Sequence, residues 1–228
     1  MPRYNYKGKI IAVTGGSNGI GYALSMLFAK KGARVFSLDI VPPKELLQGI
    51  TFIKADVTKG RHIKRAFQKI GGPVDMLVNN AGIMRRGRIF DSSEKDWDDL
   101  FRVNVKGYWL VAKTAQSVLK KNAYILFISS VHGTDLPKNP AIYGLTKKTV
   151  FALAESIALA YPRYQIKIIA PGPVNTNMSK MGRTKAEYKK RLTQQERPEK
   201  LCEKICALID SRHTQLLSIR RTSSYALK

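Results

Sequence analysis

Ile10-Ile11-Ala12-Val13-Thr14-Gly15-Gly16-Ser17-Asn18-Gly19-Ile20-Gly21 is the stretch that decides the fold. A short β-branched run passes through a glycine-rich turn straight into a helical pattern, Gly19–Lys31. Such runs favour strands because branched side chains fit a pleated, buried surface. Glycines let the turn be tight and let backbone approach a ligand closely, and the helix N-terminus then offers free N–H groups and a partial positive charge. The spacing is G-x-x-x-G-x-G, and no lysine stands where a P-loop would place one against a γ-phosphate. A strand, this turn and a helix in that order point to a dinucleotide site.

Outward from the turn, the same alternation runs through the chain. Strands are expected at Ile10–Thr14, Arg34–Asp39, Thr51–Ala55, Asp75–Asn79, Tyr124–Ser129, Ile166–Ala170 and Leu216–Ile219, several of them apolar almost throughout, as in sheets covered on both faces. Helices are expected at Gly19–Lys31, Arg61–Ile70, Lys95–Lys120, Tyr143–Tyr161 and Glu199–Ile209. Repeated βα units imply a parallel sheet with right-handed crossovers. The fold class is therefore α/β, doubly wound, with seven parallel strands and helices on both faces. With 228 residues and no internal repeat or linker, residues 1–228 read as one domain. One stretch breaks the rhythm: residues 171–198 are polar and basic, and leave the carboxyl edge of the sixth strand, where ligands of open α/β sheets bind. We expect a substrate cover there.

Composition bounds the partners. Hydrophobic residues make up 44% of the chain, a globular value. No apolar run approaches the roughly 18–20 residues of a membrane span, and the N-terminal residues lack the apolar core of a secretory signal, so a cytoplasmic protein is expected. Forty Lys+Arg against sixteen Asp+Glu leave a net charge of +24. That excess attracts polyanions and would help collect an anionic substrate. The basic residues are dispersed, with no arginine-rich arm, zinc finger or RNP-type motif, which argues against a dedicated nucleic-acid role. Cys202 and Cys206 share a helix face without neighbouring ligands, so packing is expected and a metal site is not.

Asp39 ends the second strand, where a carboxylate can accept hydrogen bonds from the adenosine ribose hydroxyls and would repel a 2′-phosphate. Asn18 is neutral where a cation could have met that phosphate. NAD is expected over NADP. Asp56, after the third strand, is a candidate for the adenine amino group, with Val57 packing on the ring.

Tyr143 and Lys147 stand at i and i+4, on one helix face. A free phenol has a pKa near 10, and a nearby cation lowers it toward useful acid–base chemistry. Ser129-Ser130 ends the fifth strand at the same edge as the glycine turn, where a hydroxyl can bond a carbonyl oxygen as charge develops on it. Asn79-Asn80-Ala81-Gly82 ends the fourth strand, and Asn104 lies in an otherwise apolar-faced helix, where an amide needs partners.

Together these residues resemble the short-chain dehydrogenase/reductase family, in its compact classical subclass. The turn is similar to that family's T-G-x-x-x-G-x-G, Asn79–Gly82 to its N-N-A-G, Tyr143/Lys147 to its Y-x-x-x-K, and Asn104 to its helix asparagine. Ser130 lies thirteen residues before Tyr143, the family's usual offset, and Pro171–Thr176 resembles its P-G-x-x-x-T. The resemblance spans roughly residues 8–210. It implies a Rossmann-type fold and hydride transfer between NAD and an alcohol or carbonyl substrate, with no metal. Tyr143 would exchange the proton, Lys147 would lower the phenol pKa and bind the nicotinamide ribose, and Ser130 would orient the substrate oxygen. Asn104 would hold a water in the proton relay through a helix kink. Cofactor contacts are expected from Gly15, Ser17, Asn18, Gly19 and Ile20, from Asp39, Asp56 and Val57, from Asn80, Ala81 and Gly82, from Tyr143 and Lys147, and from Pro173, Val174 and Thr176.

The C-terminus departs from the family pattern: Leu216-Leu217-Ser218-Ile219-Arg220-Arg221 runs into a polar tail where an aspartate and paired glycines are usual. A homodimer or homotetramer is expected by analogy, through the helices of Asn104 and Tyr143. Two other functions compete with catalysis: an NAD-sensing regulator, which often loses the tyrosine or lysine, and a basic nucleic-acid binder. His132 follows Ser130 closely but lacks a nucleophile elbow, so it reads as a pocket or loop residue. The acids of Asp91–Asp99 read as a helix start. Met84, His132, Leu136, Val174 and Met178 are pocket candidates, and Lys180, Arg183, Lys185, Lys189 and Lys190 form a basic cover that hints at an anionic substrate.

Overall fold

The structure is a computed structural model that describes residues 4–45, 48–136, 141–180, 184–210, 217–219 and 224–226. Its first unit is β1 (Ile10–Thr14), the glycine turn and α1 (Gly19–Lys30). There follow β2 (Arg34–Asp39), β3 (Ile50–Lys54), α2 (Gly60–Ile70), β4 (Val74–Asn79), α3 (Glu94–Phe101), a π-helical turn (Arg102–Lys106) and α4 (Gly107–Ala115). Then come β5 (Leu119–Ile128), the short α5 (Val131–Thr134), α6 (Ile142–Ala160), β6 (Gln165–Ile169), α7 (Asn177–Lys180), α8 (Lys185–Leu192) and α9 (Pro198–Asp210).

Six strands form one sheet in the order β3-β2-β1-β4-β5-β6, parallel throughout. The order reverses direction between β1 and β4, so the loops leaving those two strands diverge and open a crevice at their carboxyl ends. Side chains alternate between the faces, as the two-residue strand period requires. Ala12, Leu77, Ile125 and Phe127 enter a core with Ile63 of α2, Val111 of α4 and Val150 of α6. Ile11, Val13, Met76, Val78 and Leu126 face the opposite core with Leu24 and Phe28 of α1 and Leu201 and Ile205 of α9. Cys202 and Cys206 are buried in that second core, where desolvation raises both thiol pKa values.

Three expectations are corrected. The sheet has six strands, not seven. Leu217–Ile219 is a strand (β7) that pairs antiparallel with β8 (Ser224–Ala226) in a separate two-stranded sheet, and Leu216 lies outside the described residues. The short connection between the two segments makes a local hairpin cheaper in chain entropy than a long-range parallel pairing. The expected single helix Lys95–Lys120 is α3, the π turn and α4, and Leu119 and Lys120 already belong to β5, where Leu119 pairs with Val74. A pair such as Val118-Leu119 suits either period, and strand pairing decides.

At the amino ends of the strands, Asp75 joins three elements. Its carboxylate accepts from the Ile10 N–H (2.9 Å), Lys120 Nζ (2.8 Å) and Lys9 Nζ (3.4 Å). Burial alone would raise its pKa, but these partners together hold it below the usual carboxylate range.

Candidate active site

The carboxyl ends of β1 and β4 are tied by Thr14, whose hydroxyl donates to Val78 O and accepts from Asn80 N (3.0 Å) and Ala81 N (3.2 Å). Asn80 Nδ2 donates back to Thr14 O (3.0 Å) and Gly15 O (3.2 Å). Gly15 has φ +63°, and a Cβ there would lie 2.8 Å from Ala81 Cα. At Gly21 a Cβ would come within 2.2 Å of Gly15 O and 2.4 Å of Asn80 Nδ2. The turn is packed so tightly on the β4 loop that only hydrogen fits at these two positions.

What the turn presents fits a pyrophosphate. Asn18 precedes α1 in extended conformation and gives it no side-chain cap, so the helix keeps its free N–H groups. The Ser17 hydroxyl is buried without a hydrogen-bond partner among the described residues, the mark of a donor kept for a ligand. Asp39 closes the far side, accepting from Ser17 N (3.1 Å) and Ile40 N (2.7 Å). Thr176 Cγ2 would be 3.2 Å from a Cβ on Gly19, which places the Pro171–Thr176 segment over the turn. Asp56 Oδ1 accepts from Thr58 N (2.8 Å) and Thr58 Oγ1 (2.7 Å), closing a local turn. Val57 is buried and packs toward Gly107.

Tyr143, Lys147 and Ser130 converge beside this crevice. Tyr143 and Lys147 lie in the first turns of α6, Ile142–Ala160, both buried, with Lys147 Nζ 5.8 Å from the Tyr143 ring centre. The Ser130 hydroxyl hydrogen-bonds the phenol and pulls its pKa down, but burial is the larger effect and pushes it up to about 12. Burial likewise pushes Lys147 down to about 7. Each charged form is penalised by the same dry surroundings. The two adjacent serines divide their work: the Ser129 hydroxyl donates to Lys147 O (2.7 Å), fixing α6 on β5, while Ser130 faces the phenol.

Asn104 lies in the π turn, fully buried. Its Oδ1 accepts from Ile83 N (2.9 Å), and its Nδ2 donates to Ile83 O (2.9 Å) and Thr146 Oγ1 (3.1 Å). Both N–H donors are thereby used, so a water here could meet Asn104 only at an acceptor oxygen. Thr146 in turn donates to Tyr143 O (2.8 Å).

Two residues escaped the sequence reading. Thr146 is one, hidden between the two motif residues it helps to hold. Tyr108 is the other: fully buried on α4, it accepts from Lys147 Nζ (3.2 Å) and donates to Ile128 O (2.8 Å), which also accepts from Lys147 (3.0 Å). Its spacing of four from Asn104 was a readable sign, since the two share a helix side.

Beyond the phenol lies a cavity of about 220 Å³ lined by Met84, Arg86, Ser130, His132, Tyr143, Val174, Met178 and others of the Pro171–Thr176 segment. Four of the five expected pocket residues line it. Leu136 does not; it is turned toward Gly144 and is 42% exposed. The cover lysines are also absent from the lining, with Lys180 lying over the Tyr188 ring instead, and Arg183 is outside the described residues. From this segment, Ser179, Gln194 and Gln195 line the cavity.

A family model described as short chain dehydrogenase matches residues 9–187. The chain belongs to the short-chain dehydrogenase/reductase family. Among the curated members, it is 35% identical over 189 residues to the oxidoreductase UcpA of Salmonella typhimurium, covering 75% of this chain and 72% of the relative. It is 35% identical over 195 residues to an uncharacterized oxidoreductase of Thermotoga maritima, covering 80% and 78%. Among solved family structures, the ligand-free aldohexose dehydrogenase of Thermoplasma acidophilum superposes with a TM-score of 0.83 at 27% identity, covering 94% of this chain and 93% of that one. A short chain dehydrogenase family protein of Francisella tularensis gives 0.82 at 26% identity, covering 93% and 97%. As an oxidoreductase of this family, the protein has its glycine turn, phenol, ammonium and serine gathered at one sheet edge. Among the described residues, no helix is long and apolar enough to cross a membrane.

Proposed function

We propose that this short-chain dehydrogenase/reductase interconverts a small alcohol and its carbonyl partner, with NAD(H) as cofactor and Tyr143 exchanging the proton. The observation that carries the reading is the meeting of Tyr143 and Ser130 on a cavity that reaches Ile20 at the glycine turn, with Lys147 Nζ buried 5.8 Å from the phenol ring centre. When bound, the nicotinamide supplies or accepts the hydride. The glycine turn, Ser17 and the start of α1 would hold its pyrophosphate, Asp39 the adenosine ribose, and Asn80 to Gly82 with Pro173, Val174 and Thr176 the groove between. Lys147 spends two donors on Tyr108 and Ile128 and keeps its third for the ribose. Ser130 orients the substrate oxygen against the phenol. In reduction the phenol donates its proton to that oxygen; in oxidation the phenolate receives it.

Retention of the full proton-transfer set favours catalysis over a non-catalytic NAD-sensing role. Residues 171–198 form the substrate cover of a one-domain enzyme, through Thr176, Met178, Gln194 and Gln195. The protein works in the cytoplasm, and its cationic excess favours an anionic substrate.

The pH dependence has a definite sign. A phenol raised to about 12 stays protonated at neutral pH. Reduction then finds its donor loaded, whereas oxidation must first remove that proton, so kcat for oxidation rises with pH from about 7 to about 10 while reduction stays level over that range. A panel of alcohols and carbonyl compounds, followed by nicotinamide absorbance with both cofactors, tests the reading. Turnover with NAD(H) is expected, and Asp39→Ala weakens NAD(H) more than NADP(H). A preference for NADP(H) in the unaltered protein would overturn the cofactor choice, and inactivity on every compound would favour the regulatory role.

A further inference from the structure

We propose that His132 is a specificity-determining residue, hydrogen-bonding a second oxygen carried near the reacting carbon, and that the substrate is a hydroxy ketone or its diol partner. The inference rests on the oxidoreductase reading and names its substrate class.

The backbone of His132 is fixed by its neighbours on both sides. Gly133, the next residue of α5, packs on α6 so closely that a Cβ would lie 2.7 Å from the Lys147 carbonyl carbon and oxygen and 3.0 Å from Phe151 Cε2. Only hydrogen fits there, so α5 is locked against α6 beside the motif lysine. The His132 N–H donates to Ser130 Oγ (3.2 Å), which ties the residue to the serine that faces the phenol. Its ring then packs edge-on to Tyr143, with 6.1 Å between centres. His132, Ser130 and Tyr143 line the same cavity.

The ring itself is unengaged. Among the described residues, its nitrogens have no hydrogen-bond partner. The side chain is partly open to solvent, yet enough of it is covered that desolvation, ahead of the Arg86 charge, holds its pKa below the ordinary imidazole value. At pH 7 it is neutral, with one donor and one acceptor nitrogen. A hydroxyl is the matching group, able to give or take the bond, whereas a methyl in its place would strip water from the imidazole without replacing the bond. Because the imidazole and the phenol pack edge to face, they bound one patch of the cavity wall. A substrate oxygen seated against the phenol brings the atoms around the reacting carbon, rather than a distant end, to His132.

The test pairs each hydroxy ketone with the ketone in which a methyl replaces the hydroxyl: hydroxyacetone with butanone, acetoin with methyl isopropyl ketone, and diacetone alcohol with methyl neopentyl ketone. Reduction is followed with NADH. In at least one pair the hydroxy ketone is expected to lead in kcat/KM by about tenfold. His132→Leu then raises KM for that hydroxy ketone by about tenfold, with kcat altered far less and the methyl partner little changed. His132→Asn, which keeps a donor and an acceptor on a shorter side chain, restores part of the loss. Titration of the same ketones into Tyr143→Phe protein loaded with NADH reads the contact without turnover. Methyl partners equal to or ahead of the hydroxy ketones, or a preference unmoved by His132→Leu, would overturn the contact while leaving the dehydrogenase reading intact. His132-dependent binding without turnover of any ketone would uphold the contact and count against the dehydrogenase, and neither binding nor turnover would sink both.

Discussion

Lys147 shows how much of a catalytic group's character comes from residues outside its motif. An ammonium taken out of water is costly unless acceptors surround it. Here the acceptors are the Tyr108 hydroxyl and Ile128 O, the first of which no family motif names. Removing that hydroxyl while keeping the ring should make the charged lysine harder to hold, and a less charged lysine leaves the Tyr143 phenolate less stable. Tyr108→Phe is therefore expected to shift the rise of oxidation rate to higher pH, with KM for the substrate little changed. The titratable side chains around Lys147 are Tyr108 from α4, Tyr143 from its own helix and His132 of α5 against the phenol. A lower rate with an unmoved pH profile would reduce Tyr108 to a packing residue. The same contacts explain what was legible in sequence. Tyr143, Lys147, Ser130 and Asn104 stand at fixed offsets that any reader can count. Tyr108 and Thr146 act through three-dimensional neighbours, and a buried phenol and a mid-helix threonine look ordinary in a string of letters. The cover lysines drew attention for their number, yet the cavity meets glutamines and a serine from that segment instead.

Elements were legible to the extent that each had a single period. The strands are apolar on both faces and bounded by turn residues, so β1, β2, β4 and β6 stand within a residue of expectation. The helix after β4 was harder, because its π turn, which seats Asn104, leaves no periodic trace, and because the chain enters β5 through a pair of apolar residues that suit either structure. Entry into β5 also carries an irregular register between Val74 and Met76, with Asn122 at φ +66°. Asp75 holds that irregular corner by accepting from β1 and from Lys120. Its stabilising contribution is present above the unfolded carboxylate pKa and is lost as pH falls through the lower folded value. Asp75→Asn is expected to cost about 1–3 kcal/mol at neutral pH, read from urea denaturation, with the deficit shrinking in acid. A variant as stable as the parent at neutral pH would show that the corner is held by packing alone.

At the scale of the whole molecule, two properties meet: a closed two-core α/β body and a net charge of +24. The charge is spread over the surface, and among the described residues that line the cavity only Arg86 is a Lys or Arg. Dispersed cations bind polyanions through counterion release, which salt suppresses steeply. We expect duplex DNA binding, followed by gel shift, to be lost by about 0.2 M salt and to be indifferent to cofactor. Tight, salt-resistant binding would revive the nucleic-acid reading. The family analogy further predicts a homodimer or homotetramer, and α3, α4 and α6 present Trp109, with Lys113 over its ring, and Leu153 beside a broad groove. Light scattering on the eluting protein is expected to give a mass at least twice the monomer's 25.6 kDa, and a monomer at all concentrations would refuse the analogy.

The proposed function turns on a single transfer, in which Tyr143 would exchange a proton with a substrate oxygen and a bound nicotinamide would supply or accept the hydride. The decisive measurement is single-turnover nicotinamide absorbance for Tyr143→Phe beside the parent protein, each saturated with NAD(H) as verified by calorimetry. The account predicts intact cofactor binding and a rate lower by about 10²–10⁴-fold. A variant that binds cofactor and turns over at the parent rate would contradict it.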